Sequence, residues 1–82
     1  MEIQGGSIVY SKAGHDRGGM FLVLRTDGEY AFLADGKVRK LDKPKKKKQK
    51  HLQKTNLCIA LDDSVQTDAG IRKALAQLRE FK

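Results

Sequence analysis

The chain has no tryptophan, one cysteine, one proline, two tyrosines and three phenylalanines in 82 residues. A lone Cys58 excludes an intramolecular disulfide and a multi-cysteine zinc cage, so nothing marks a secreted, disulfide-framed scaffold. No apolar run approaches eighteen residues, which leaves no candidate transmembrane helix. The opening Met1-Glu2-Ile3-Gln4-Gly5-Gly6 lacks the basic start and apolar centre of a signal peptide. These absences lead us to expect a cytoplasmic protein. So few aromatic rings give few stacking platforms, and the expected mode of nucleic-acid recognition is backbone and shape recognition, not capture of splayed bases. A chain this short makes one small domain with a marginal core.

What the chain has in excess is positive charge in one place. Residues 37–54 carry ten of the seventeen Lys and Arg residues and a single acid, Asp42, a net charge of +9. The remainder sets seven bases against nine acids and nets −2. Segregated charge of this kind binds polyanions by releasing their condensed counterions, which makes a nucleic acid the first partner to consider. Lysine predominates over arginine, which points to phosphate attraction and away from base reading by planar bidentate donors. The same run would attract anionic lipid, but no amphipathic anchor adjoins it, and membrane binding is not expected.

Residues 7–42 read as β structure. Ser7-Ile8-Val9-Tyr10-Ser11 is short, β-branched and aromatic, and it ends at a turn with three glycines, Gly14, Gly18 and Gly19. Met20-Phe21-Leu22-Val23-Leu24 is a short continuous apolar run, as in a strand covered on both faces. Thr26-Asp27-Gly28-Glu29 is a hairpin turn, Tyr30-Ala31-Phe32-Leu33-Ala34 a third strand, and Asp35-Gly36 a second hairpin signal. Val38 and Leu41 then mark a fourth strand that Pro44 would end. Residues 43–54 have no apolar period, and four consecutive lysines repel one another, so an extended, mobile loop is expected there. A fifth strand is expected over residues 55–61. Thr67 or Asp68 can cap a helix whose Ile71, Ala74, Leu75 and Leu78 share one face, with Gly70 weakening it by roughly 1 kcal/mol. Tyr10, Tyr30 and Phe32 are read mainly as core residues, with the alternative that one exposed Tyr stacks on a base, and Cys58 is read as a small buried hydrophobe. Five short strands and one helix fit a small, partly open barrel. Residues 1–61 would form it, including the basic loop 43–54. Residues 62–82 would be a connector and a helix packed on the barrel.

The stretch from Gly6 to Val23 closely resembles the KOW motif, a strand, a glycine-bearing basic loop and a second strand found in ribosomal proteins and transcription elongation factors. The likeness lies in the opening glycine, the apolar alternation before the loop, the Lys12-Ala13-Gly14 turn, the Arg17-Gly18 pair and the apolar return strand. Residues 34–41, followed by Lys43-Pro44-Lys45-Lys46-Lys47, extend it to the small bacterial KOW proteins similar to the large-ribosomal-subunit protein fourteen-e family. The resemblance implies an SH3-like five-stranded barrel of KOW type and binding to ribosomal RNA, with ribosomal proteins as further partners.

The loop's chemistry agrees with that implication. Gly14 and Gly18 can adopt positive φ or admit a partner's backbone, Arg17 can grip phosphate bidentately, and Lys12 acts as a point charge. Asp16 would repel phosphate unless it caps the loop or orients Arg17. The candidate RNA-binding residues are therefore Lys12, Gly14, His15, Arg17 and Gly18 in the loop. In the basic segment they are Lys37, Arg39, Lys40, Lys43, Lys45, Lys46, Lys47, Lys48, Lys50, His51 and Lys54. His15 and His51 are not spaced as a metal pair, Asp62-Asp63 has nothing beside it to complete an acid–base or magnesium site, and no Gly-Lys-Ser/Thr phosphate loop is present. No catalytic residue, metal or cofactor is expected. The expected function is a non-enzymatic, monomeric RNA-binding protein acting in translation or ribosome assembly. The alternative is a protein-interaction module that docks on RNA polymerase or a translation factor, with the basic loop secondary.

Overall fold

The computed structural model describes residues 2–80, so Met1, Phe81 and Lys82, which the expected segments include, lie outside the described residues. Five antiparallel strands form one sheet: β1 (Ser7–Ser11), β2 (Met20–Asp27), β3 (Tyr30–Ala34), β4 (Lys45–Lys48) and β5 (Leu52–Cys58). One helix follows, α1 (Asp68–Glu80). The strand order is β4-β3-β2-β1-β5, with single-turn 3-10 helices at Gln49–His51 and Asp63–Val65.

The order carries a geometric consequence. β4 and β5 are the two edges, yet only Gln49–His51 separates them along the chain. Four residue steps reach at most about 14 Å, whereas a flat five-stranded sheet sets its edges about 19 Å apart. The sheet is therefore curled, bringing its edges toward each other where that connection spans them.

Both faces of the central strands are buried, as the continuous apolar run of β2 requires. One face gathers Val9, Phe21, Val23, Ala31, Leu33 and Leu52, with Ile3 packed against it. The other gathers Ile8, Met20, Leu22 and Ala34 beneath Val65, Ile71 and Leu75, with Ala74 and Leu78 also packed there. The helical stripe thus docks on the sheet. Thr67 caps the helix by accepting the Gly70 N–H at 3.0 Å. The Asp68 carboxylate accepts the Leu41 N–H at 2.8 Å, which ties the loop after β3 to the helix start.

The basic segment differs from expectation. Val38 and Leu41 do not lie in a strand; Val38 is 70% exposed in an irregular loop over residues 35–44. That loop is closed by the Asp35 carboxylate, which accepts the N–H groups of Lys37 and Arg39 and so competes with a ladder. Lys45–Lys48, expected as mobile loop, are instead the fourth strand, paired with β3 as Leu33↔Lys45, Phe32↔Lys46, Ala31↔Lys47 and Tyr30↔Lys48. Pro44 precedes this strand and does not end one, a position where its missing N–H costs the ladder nothing. β5 begins at Leu52, earlier than expected, so residues 43–54 as a whole are not a loop. Lysine is at home on an edge strand, where its stem covers apolar surface and its charge deters pairing with another chain. Tyr10 is 38% exposed, Tyr30 and Phe32 are half-buried, and Cys58 is exposed, so none of these belongs to the core.

Candidate nucleic-acid interface

The glycine-bearing connection between β1 and β2 is bonded to itself. The Gly18 N–H donates to Ser11 O at 2.8 Å, the Gly19 N–H to Asp16 O at 2.9 Å and the Arg17 N–H to Gly14 O at 3.2 Å. Gly14 and Gly18 have φ of 77° and 85°, a region that excludes most side chains, so the turn needs glycine at both places. A Cβ on Gly18 would meet nothing within 4 Å, which leaves that backbone open to an approaching group. Around it Lys12, His15 and Arg17 are exposed. The Lys12 N–H donates to His51 O at 2.8 Å, which brings the 3-10 turn against the start of this loop.

Two side-chain bridges also join the glycine loop to the basic segment. Arg39 donates from Nε to Asp16 Oδ1 at 3.2 Å and from NH2 to Oδ2 at 3.0 Å, a bidentate fork. Lys47 Nζ donates to Ala13 O at 2.6 Å. Asp16 therefore holds Arg39, not Arg17, and Arg39 is committed to a structural pair that leaves its side chain 28% exposed. Burial pushes the Asp16 carboxyl up, but the Arg39 fork and the charges of Arg39, Lys47 and Lys45 outweigh it and hold the group below its ordinary value of 3.8. The Asp16 charge is thus balanced locally, and Arg17 stays exposed beside it.

The remaining lysines do not form one clamp. Lys37, Lys40 and Lys43 are exposed on the 35–44 loop, at the glycine-loop end of the sheet. On β4 the side chains alternate. Lys45 and Lys47 share the face of Ala31 and Leu33, while Lys46 and Lys48 share the face of Tyr30 and Phe32. Lys46 Nζ lies over the Tyr30 ring, 4.6 Å from its centroid, and Lys48 pairs with Glu29 at 3.5 Å. Lys50 is exposed and His51 half-buried in the 3-10 turn, and Lys54 Nζ donates to Thr55 O at 3.2 Å.

Sequence reasoning missed Arg25, whose guanidinium lies 4.0 Å from the Phe32 ring centroid. The strand alternation of Tyr30 and Phe32 held the signal, because it places both rings on one face beside whatever β2 presents there. Asp62 serves the chain locally: its carboxylate accepts the Ser64 N–H and hydroxyl, which lower its pKa and cap the second 3-10 turn. Among the described residues no three His, Cys, Asp or Glu side chains gather as a metal-ligand set, and no helix is long and apolar enough to cross a membrane. Comparison of the chain with protein-family models and with curated proteins finds no match in either.

Proposed function

We propose that this chain is a non-enzymatic RNA-binding protein of KOW type, with ribosomal RNA as its target and translation or ribosome assembly in the cytoplasm as its setting. The observation that carries the reading is the joining of two separate basic stretches at one end of the sheet. Lys47 reaches the glycine loop at Ala13 and Arg39 reaches it at Asp16. Lys12, Arg17, Lys37, Lys40 and Lys43 are then exposed around the same end, next to the open backbone of Gly18. Exposed cationic side chains around a positive-φ glycine turn suit an incoming phosphate, and recognition by such a surface is electrostatic docking with shape selection. The curl of the sheet and the short link between its edge strands support an SH3-like, partly open barrel as the scaffold.

Co-sedimentation with ribosomal particles across a salt series tests this. The expected result is association at low salt that weakens steeply as salt rises, and a smaller salt slope when Lys12, Arg17, Lys37, Lys40 and Lys43 are changed to Gln. No association at any salt would end the ribosomal reading. Binding that survives the five substitutions with an unchanged slope would assign the surface to a protein partner.

A further inference from the structure

The helix covers only part of its face of the sheet. It lies over Ile8, Met20, Leu22 and Ala34. The same face continues past Ala34 to Phe32 and Tyr30 on β3, flanked by Arg25 on β2 and by Lys46 and Lys48 on β4. The rings are half-buried, while Arg25 and Lys46 are exposed. We infer that this uncovered strip is a base-stacking platform for single-stranded RNA, a second contact surface that rests on the RNA-binding reading above and extends it from phosphate docking to base capture.

The geometry and charge favour that occupant. Arg25 is exposed and its guanidinium carbon sits 4.0 Å over the Phe32 ring, a cation on a ring that together offer a base a stacking partner. Lys46 rests over Tyr30 and has a flexible stem, so it can leave the ring to a base and move to the adjoining phosphate. Tyr30 and Phe32 are two residues apart on one strand, about 6.8 Å, twice the spacing of about 3.4 Å per nucleotide in a duplex strand. The rings therefore serve bases unstacked from one another, as in a single strand. Stacking of this kind tolerates any base, because each has a π face. Two acids bound the strip at the hairpin end: Glu29, which Lys48 pairs, and Asp27, which lies opposite Tyr30. They orient the phosphates toward β4.

Binding of a short oligouridylate, and of its duplex with oligoadenylate, tests the platform in the full chain. Tyr30→Leu should weaken single-strand binding by about 5- to 150-fold, the range measured for loss of one stacked base. Duplex binding and the salt slope should stay as in the native protein, since no charge is removed. The chain has no tryptophan, so Tyr30→Trp adds a single reporter whose fluorescence should be quenched by oligouridylate and not by the duplex. If Tyr30→Leu proves unfolded in a thermal melt, the quenching alone decides, because that variant keeps a ring at the site. Single-strand binding unchanged by a folded Tyr30→Leu, or an unquenched indole while RNA is bound, overturns the platform and leaves the phosphate-docking reading in place. Equal quenching by polyglutamate overturns it in favour of protein docking. Failure of the native protein to bind either RNA overturns the platform, and only with no co-sedimentation with ribosomal particles as well does it remove both readings.

Discussion

At the scale of single residues, two positions reverse what their type suggests. Asp16 is an acid in a basic neighbourhood, yet it is the residue through which Arg39 is fixed against the glycine loop. Its side chain is only 9% exposed, so removing it leaves a partly buried guanidinium without its fork. Asp16→Ala should lower stability by about 1–3 kcal/mol, read from a denaturant melt. Because the folded pKa lies below 3.8, the contribution is fully present above that value and is lost as pH falls through the depressed folded value. The gap between the native protein and Asp16→Ala should therefore hold at neutral pH and close only in strong acid. A gap that stays constant down to full protonation would show that the carboxylate charge is not what stabilises. Gly70 is the second case. Helix propensity alone says that Gly70→Ala stabilises by roughly 1 kcal/mol. A Cβ there would collide with the Ser64 backbone oxygen, because the first helical turn presses on the preceding 3-10 turn. Backbone must shift to make room, and Gly70→Ala should lower stability by about 1–3 kcal/mol. A raised melting temperature would refute the close packing of the helix start.

At the scale of elements, legibility follows the source of the stabilising interaction. β1, β2 and β3 were readable because their own apolar residues face a core, and α1 because Ile71, Ala74, Leu75 and Leu78 repeat at helical spacing. β4 was not, since Lys45–Lys48 contain no pattern of their own. Their extended form is set by partners far along the chain, Tyr30 to Leu33, which supply the ladder and the surface beneath the lysine stems. The opposite error arose at Val38 and Leu41, where two apolar residues suggested a strand, but the Asp35 carboxylate and Asp68 hold the backbone in other bonds. The candidate site was legible in composition and not in arrangement. The sequence marked the charged residues, while only pairing register separates Lys45 and Lys47 from Lys46 and Lys48. If charge is what keeps this edge solitary, Lys46→Val with Lys48→Val should raise strand propensity and promote edge-to-edge self-association, visible by analytical ultracentrifugation as a concentration-dependent shift. A monomer at all concentrations would mean that the curl of the sheet, and not lysine charge, protects the edge.

At the scale of the whole molecule, one charge distribution acts on folding and on binding with opposite signs. Residues 37–54 hold a net +9 while the rest of the chain nets −2, so like charges crowd along this one stretch of the chain. In water two such charges about 6 Å apart repel by about 0.7 kcal/mol, and at about 0.1 M salt the Debye length of about 10 Å already begins to screen the more distant pairs. Among the described residues few attractive pairs offset this: Arg39–Asp16 is one, and Lys48–Glu29 is an exposed pair of small worth. Salt should therefore stabilise the free protein, raising its melting temperature by about 4–8 °C for each kcal/mol of repulsion relieved. The same salt should weaken the complex. If six to ten phosphates are engaged, affinity should fall by about 10³- to 10⁵-fold between 50 and 200 mM. Measuring both quantities in one buffer series separates the two roles of the basic segment. A melting temperature that falls with salt would mean that ion pairs outweigh repulsion in the fold. An affinity indifferent to salt would mean that the lysines are not what meets the partner.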